Sequence, residues 1–322
     1  MSRSYWKNRR VLVTGHEGFL GSALTKQLVE LGAKVTGVDL ILNRRPSLLK
    51  DVRGKFRGVK GDIADAGFIN RVIASARPQT IFHLAAEALV QNANRDPVNA
   101  FKSNIQGTWN ILESVRKHTF VEAVVAASSD KAYGSHRKLP YEETFALQGD
   151  HPYDVSKSCS DLLCRTYYHS FGVPVAITRC GNIYGPGDMH FSRIVPDGVR
   201  CAIKGKQLVI RSNGKFTRDY IYIDDIVAGY LLLGRKLKSL KLAGEAFNFS
   251  NEKPVSVLQL FYAIAGAVKG RRIRPKILNQ AKNEIVHQHL SARKARRRLG
   301  WKPKYSLKQG LAKTVEWYRK HV

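Results

Sequence analysis

Residues 11–22 read VLVTGHEGFLGS, and their order decides the fold. Val11–Thr14 is a short apolar run of the kind that forms a buried strand. Gly15, Gly18 and Gly21 then recur at three-residue spacing, and the amphipathic stretch Phe19–Leu31 begins inside the same turn, with Phe19 and Leu20 between the last two glycines. A strand passing through a glycine-rich turn straight into a helix suits dinucleotide binding. Glycines let the backbone turn sharply and approach a pyrophosphate, which the N–H groups at the helix N-terminus then bind. The spacing alone is a weak signal, and Asp39 strengthens it. It ends the next strand, Lys34–Asp39, 18 residues after Gly21, where a carboxylate accepts hydrogen bonds from an adenosine ribose and repels a 2′-phosphate. NAD is therefore expected over NADP, with Arg44 and Arg45 as the opposing sign. Asp62 and Ile63 follow the third strand, Phe56–Lys60, where the carboxylate meets an adenine amino group or caps the next helix.

The same alternation continues outward. Strands are expected at Thr80–Leu84, Val121–Ser128 and Val173–Arg179, and helices at Ala66–Ala76, Val98–His118 and Tyr153–Phe171, with Gly32 and Gly172 where helices end. This is the pattern of an α/β fold, a Rossmann-like doubly wound parallel sheet, over residues 1–180. After Arg179 the rhythm breaks into Gly/Pro-rich turns. A helix near Ile194–Lys204, a strand at Gln207–Arg211, a helix at Val255–Val268 and a basic C-terminal helix then read as a smaller substrate-binding lobe, residues 181–322, interleaved with the end of the sheet. At 322 residues the chain exceeds the usual single core of roughly 250–300, which agrees with a second lobe.

Composition excludes several classes. Hydrophobic residues at 43% with no low-complexity tract argue against disorder. No apolar run approaches the roughly 20 residues of a membrane span, and Val11–Thr14 leads into a glycine turn in place of a cleavable apolar segment, so a cytoplasmic protein is expected. Cys159, Cys164, Cys180 and Cys201 show neither CxxC nor zinc-finger spacing, so buried thiols and no metal are expected. Charge is the anomaly, at 54 Lys+Arg against 25 Asp+Glu, +29 net. From Lys269 to Val322 there are 17 Lys/Arg against Glu284 and Glu316, so half of the excess lies in the last sixth of the chain. The cluster Arg293–Arg298 lacks interleaved aromatics, and a solvated helix face is favoured over a site for nucleic acid or an anionic membrane surface.

Tyr153 and Lys157 stand four residues apart, on one face of a helix that begins after Pro152. A nearby cation stabilises a phenolate, so Tyr153 can deprotonate a substrate hydroxyl while a hydride leaves for the nicotinamide. With these residues in place the chain resembles the extended short-chain dehydrogenases/reductases that act on nucleotide sugars. TGHEGFLGS, VDL, GDI, HLAAE, SNIQGTWNILES, PYDVSK, GNIYGPGD and TRDYIYIDDIVAGYLLL occur in that family's order, and the tail ARKARRRLGWKPKYSLKQGLAKTVEWY resembles its usual ending. The resemblance implies that Tyr153 abstracts the proton, that Lys157 binds the nicotinamide ribose, and that Gly15, Gly18, Gly21, Asp39 and Asp62 hold the dinucleotide, with Ala85 and Ala86 lining its groove. It also implies a homodimer, joined through the helices near Val98–His118 and Tyr153–Phe171.

Ser129, Asp130 and Lys131 follow the fifth strand. By resemblance Ser129 holds the sugar's O4. Epimerases of the family usually carry small or hydroxyl residues after it, whereas 4,6-dehydratases carry an aspartate and a second ionisable group. The chemistry explains the need: a ketone at C4 makes the C5 proton acidic, and expelling water takes an acid at the C6 hydroxyl and a base at C5. Asp130 is the expected acid and Lys131 the expected base. SDK, RCGNIYGPGD, RIVPD and PYDVSKSCSDLL resemble the CDP-glucose 4,6-dehydratases, whereas FTRDYIYIDD follows the generic family pattern and leaves a CDP-, dTDP-, UDP- or GDP-hexose open. The resemblance makes Asn182 and Arg218 diphosphate contacts, with Arg193 and Arg211 as weaker candidates. A 4-epimerase is the alternative enzyme. A binding protein for nucleic acid or an anionic surface, on a dinucleotide scaffold, is the alternative outside catalysis.

Overall fold

The computed structural model describes residues 3–268, 274–280 and 285–322. Its first half runs α1 (Arg3–Trp6), β1 (Arg10–Thr14), α2 (Phe19–Glu30), β2 (Lys34–Asp39), β3 (Arg57–Lys60), α3 (Ala66–Ala76), β4 (Thr80–His83), α4 (Val90–Arg95), α5 (Pro97–Phe101), α6 (Gly107–Arg116), β5 (Ala123–Ala127), α7 (Pro152–Phe171) and β6 (Val175–Cys180). The second half adds β7 (Asn182–Tyr184), α8 (Ile194–Lys204), β8 (Val209–Ile210), β9 (Thr217–Arg218), β10 (Tyr220–Tyr222), α9 (Ile223–Lys236) and β11 (Ala246–Phe249). It closes with β12 (Val255–Ser256), α10 (Val257–Val268), β13 (Lys276–Ile277) and α11 (Leu307–His321). Seven strands form one parallel sheet in the order β11-β6-β5-β4-β1-β2-β3, as the expected doubly wound fold requires.

Alternation along β1 explains the two covered faces. Val11 and Val13 join a core with Leu24 and Leu28 of α2 and Tyr230 and Leu233 of α9, while Leu12 joins Ile69 and Ile73 of α3, Ile111 and Val115 of α6 and Cys164 of α7. The strand order reverses between β1 and β4, so the crevice at their C-terminal ends lies between Gly15 and Ala85.

Several expectations need correction. β11 is a seventh strand and α9 a further helix, neither of which was anticipated. β11 is only four residues long and contains Asn248, a residue that disfavours strands until Glu143 and Tyr141 satisfy it. The expected helix Val98–His118 is interrupted by a π-turn over Lys102–Gln106. Val255 and Ser256 pair as a strand with Arg218 and Thr217 before α10 starts. The strand at Gln207–Arg211 shrinks to Val209–Ile210. Asp62 is not a helix cap: Asp65 caps α3, and Asp62 turns the chain onto Ala64 N–H.

The basic run keeps Arg293, Arg297 and Arg298 exposed, as a solvated helix face requires, but it also carries ion pairs that were not expected. It forms a π-turn over Ala295–Leu299 that ends at Gly300, and four of its five charges are paired: Arg293 with Glu142, Lys294 and Arg298 with Glu245, and Arg296 with Glu252. The four cysteines are free thiols. Among the described residues there is no metal-binding cluster of His, Cys, Asp and Glu, and no helix is long and apolar enough to cross a membrane.

Candidate active site

The glycine turn is built for close approach. Gly15 holds φ +72°, and a Cβ there would stand 2.8 Å from the Ala85 nitrogen; at Gly21 a Cβ would lie 1.9 Å from the Gly15 carbonyl oxygen. Gly18 caps α2 with no side-chain acceptor, so the first-turn N–H groups, including those of Phe19 and Leu20, are open to an anion. A cleft of about 350 Å³ opens over this turn, lined in part by Gly18, Phe19, Arg44, Arg45, Met189 and His190. Asp39 stands at its edge, accepting the Glu17 N–H at 3.0 Å with Arg44 Nη2 3.8 Å away. These features fit the pyrophosphate and ribose of a dinucleotide.

Glu17 is a part of this cradle that sequence reasoning missed. Its buried carboxylate accepts the N–H groups of Asn43 and Arg44 at 2.9 and 3.2 Å and the Arg53 guanidinium at 3.2 Å, tying the loop after β2 to the glycine turn. The only signal was a charged residue inside an otherwise apolar motif.

The reaction centre lies across the crevice, on a 3₁₀ turn over Asp130–Tyr133 and the first turns of α7. Ser129 caps that turn. Its hydroxyl accepts the Lys131 N–H at 3.2 Å, donates to Asp130 Oδ1 at 3.1 Å, and hydrogen-bonds the Tyr153 phenol. Tyr153, Ser129 and Asp130 therefore form one continuous chain. Burial pushes the Tyr153 phenol up to about 12, against Ser129 and Arg193, which both lower it. Burial likewise pushes the Asp130 carboxyl up, opposed by the Lys131 charge and the Ser129 hydroxyl. Asp130 is only 5% exposed and Lys131 is half-buried, so the pair is not a solvated loop. Lys157 is buried with its Nζ on the Ala127 carbonyl at 2.9 Å, and that burial lowers its amine to about 8. Asp154, beside the Lys131 charge, is pushed up by burial to about 6.

Behind Tyr153 runs a buried line of polar groups. Thr14 Oγ1 accepts the N–H groups of Leu84 and Ala85, both at 3.2 Å, so its own proton goes to His83 Nδ1 at 2.8 Å. His83 Nε2 then donates to Thr108 Oγ1 at 3.1 Å, and Thr108 donates to the Asn104 carbonyl at 2.5 Å. Burial lowers His83 to about 3, so it stays neutral. Asn104 sits in the π-turn, where its amide grips Glu87 N–H and carbonyl and donates to Ser156 Oγ at 2.8 Å. Ser156 in turn donates to the Tyr153 carbonyl at 2.7 Å. An inserted π-turn commonly marks a functional position, and here it aims Asn104 at the helix carrying Tyr153.

The expected diphosphate residues separate into groups. Arg218 anchors on the carbonyls of Thr217 and Val286 and acts electrostatically on Asp130. Arg193 pairs with Asp188 at 3.1 Å and acts on Tyr153. Asn182 hydrogen-bonds the Asp219 carbonyl through its backbone N–H at 2.8 Å. Arg211 is exposed beyond the end of β8. Asp62 and Ile63 lie past β3, and Ala85 and Ala86 past β4, with Ala85 facing Gly15.

Comparison with known proteins shows the family and agrees with the fold. The family profile described as GDP-mannose 4,6 dehydratase matches residues 12–314. CDP-glucose 4,6-dehydratase of Salmonella typhimurium is 30% identical over 99% of this chain and 93% of its own length. A dTDP-glucose 4,6-dehydratase of Streptomyces venezuelae, solved with NAD bound, superposes with a TM-score of 0.87 at 30% identity, covering 97% of each chain. A UDP-glucose 4-epimerase of Thermotoga maritima, solved with UDP-glucose, also gives 0.87, at 29% identity over 96% of this chain and 98% of that one.

Proposed function

Because this chain belongs to the GDP-mannose 4,6-dehydratase family, among the extended short-chain dehydrogenases/reductases of nucleotide sugars, we propose that it is an NDP-hexose 4,6-dehydratase, most like those taking CDP-glucose. It is an enzyme of the lyase type and its cofactor is NAD. Gly15, Gly18 and Gly21 with the first-turn amides of Phe19 and Leu20 would hold the pyrophosphate, Asp39 the adenosine ribose, Asp62 and Ile63 the adenine, and Ala85, Ala86, Tyr153 and Lys157 the nicotinamide half. Bound NAD supplies a hydride acceptor and donor restored within each turnover, so no cofactor is consumed overall.

The chain's own residues do the proton work. Tyr153 takes the proton of the C4 hydroxyl, with Ser129 holding O4; Ser129 and Arg193 favour the phenolate that burial disfavours, and by the family resemblance the Lys157 ammonium adds to them. The resulting 4-ketone acidifies C5–H. Asp130, whose protonated form burial favours, gives its proton to the departing C6 hydroxyl, while Lys131 takes the C5 proton and returns one to C5 as the hydrogen from C4 arrives at C6. Water leaves, and in net terms one hydrogen moves from C4 to C6, giving a 4-keto-6-deoxy sugar nucleotide. The lobe of residues 181–322 would take the sugar diphosphate through Asn182, Arg218 and Arg193, with the exposed Arg211 as the weakest candidate.

The observation that carries this reading is the Tyr153–Ser129–Asp130 chain, half-buried at its first two members and buried at Asp130, with Lys131 at its end. Purified protein given CDP-, dTDP-, UDP- and GDP-hexoses should yield a 4-keto product absorbing in alkali, with solvent deuterium at C5 and no net NADH. A C4 epimer as sole product would establish the 4-epimerase instead, a reading supported by the equally good structural match to an epimerase. The paired charges of Arg293, Lys294, Arg296 and Arg298 weigh against nucleic acid or an anionic membrane surface as the partner.

Lys157 makes the pH dependence specific. Its amine is lowered from 10.5 to about 8, so the ammonium that supports Tyr153 is present below that value and lost above it. kcat/KM for C4 oxidation should fall as pH rises through about 8, and in Lys157→Met this alkaline limb should vanish along with about 100-fold of the rate.

We further read the protein as a cytoplasmic homodimer. Its four free thiols suit a reducing compartment. Val98, Phe101 and Trp109 on α5 and α6, with Leu162 and Phe171 on the packed helix α7, are exposed, and a second copy of the chain would cover them. Sedimentation should give twice the chain mass, and Leu162→Glu should give a folded monomer.

A further inference from the structure

Gln288 lies 157 residues from Lys131 in sequence, yet its side chain is wholly buried against the catalytic turn. Its Oε1 accepts from Lys131 Nζ at 2.7 Å and its Nε2 donates to the Asp130 carbonyl at 3.0 Å. The second bond fixes which way the amide faces: flipped, it would turn an N–H donor toward an amine and an oxygen toward a carbonyl. The strand-like stretch around it is equally tied. Gln288 N–H donates to the Thr217 carbonyl, Thr217 N–H to that of Val286, and Tyr141 N–H to that of His289. Arg218 donates to the Val286 carbonyl at 3.1 Å, so the same stretch touches the expected diphosphate arginine and the expected base.

We infer that Gln288 is a positioning residue that aims the Lys131 nitrogen at the C5 proton through a bond that does not use the nitrogen's lone pair. This rests on the dehydratase reading above. The argument is one of valence. An amine donates one N–H to the Gln288 carbonyl oxygen and still holds its lone pair; an ammonium can make the same bond. The nitrogen is therefore held in both protonation states by a neutral acceptor. A carboxylate there would add an opposite charge beside Lys131 and favour the ammonium, which has no lone pair to offer. Two carboxyl groups already lie near Lys131: burial pushes Asp130 and Asp154 up, and the Lys131 charge opposes both shifts.

The test uses the full-length holoenzyme. Gln288→Glu and the near-isosteric Gln288→Met should each lower formation of the 4-keto-6-deoxy product by about 100-fold at saturating substrate, the scale set by misplacing one catalytic group. C4 oxidation, read as the burst of reduced cofactor, and substrate KM should stay within about twofold of wild type. In a Lys131→Met background Gln288→Glu should cost nothing further. Equal loss of oxidation and elimination, full activity in both variants, or an undiminished second loss in the Lys131→Met background would each overturn the assignment. If Gln288→Glu does not fold, Gln288→Met decides. A wild-type protein that yields only a C4 epimer fails the dehydratase reading itself and takes this role of Gln288 with it.

Discussion

Asp130→Asn should abolish elimination and leave oxidation at C4 in place. The asparagine keeps the volume and the capacity to accept from Ser129, but it has no proton to give the C6 hydroxyl. General acid catalysis of this kind contributes about 10²- to 10⁴-fold, so the variant should lose that much of its 4-keto-6-deoxy product while reduced cofactor still appears on mixing. The environment of Asp130 is what makes the effect large. The side chain is 5% exposed, and burial holds its carboxyl above the usual range, so a protonated acid is at hand under conditions where a surface aspartate would be ionised. Rapid-quench analysis with mass detection of the sugar separates the two steps. Parallel loss of both, or unchanged dehydration, would remove Asp130 from its role as the acid.

Breaking the ion pair behind the catalytic turn should be the costliest single change to stability. Arg179 on β6 makes two parallel bonds of 2.8 Å to Asp161 on α7, and both side chains are buried. The remaining guanidinium nitrogen donates to the Tyr133 hydroxyl at 2.8 Å and the Glu143 carbonyl at 3.2 Å, and Tyr133 donates to Asn248 Oδ1. Asp161→Asn leaves a buried guanidinium without its counter-charge. Losing one partner of such a pair costs about 3–5 kcal/mol, whereas replacing both with apolar groups of similar size costs far less. Urea unfolding should show the full loss for Asp161→Asn and a partial recovery in Asp161→Leu/Arg179→Met, held short of wild type by the stranded Tyr133 hydroxyl. A single-variant loss below about 1 kcal/mol would mean that water reaches the pair.

Much of this architecture was legible because its causes are local. A glycine turn between a short apolar strand and an amphipathic helix carries its own explanation, and so does a tyrosine four residues before a lysine on one helix. Asp39 was found by its distance from Gly21 alone. What escaped notice depends on groups far apart in sequence. β11 exists because Asn248 is satisfied by Tyr141, Tyr133 and Glu143, and no window around residue 248 contains them. The break at Lys102–Gln106 has no proline to announce it; it becomes intelligible through Asn104, whose partners are Glu87 and Ser156. The Arg293–Arg298 run has the composition of a solvated face, and only the chain's path brings Glu142, Glu245 and Glu252 beneath it. Gln288 is the extreme case, an ordinary residue by type that acquires meaning from the lysine it meets.

The row of hydroxyls and imidazole from Thr14 to Ser156 has a polarity, since two backbone donors at its origin leave each member one way to point its hydrogen. His83 is thus a spacer and no reservoir: the line passes through the Asn104 amide and ends on the Tyr153 main-chain carbonyl, not on its phenol. The proton that Tyr153 gains and the one that Asp130 gives up must therefore be balanced on the other side, along Ser129, which bonds to both.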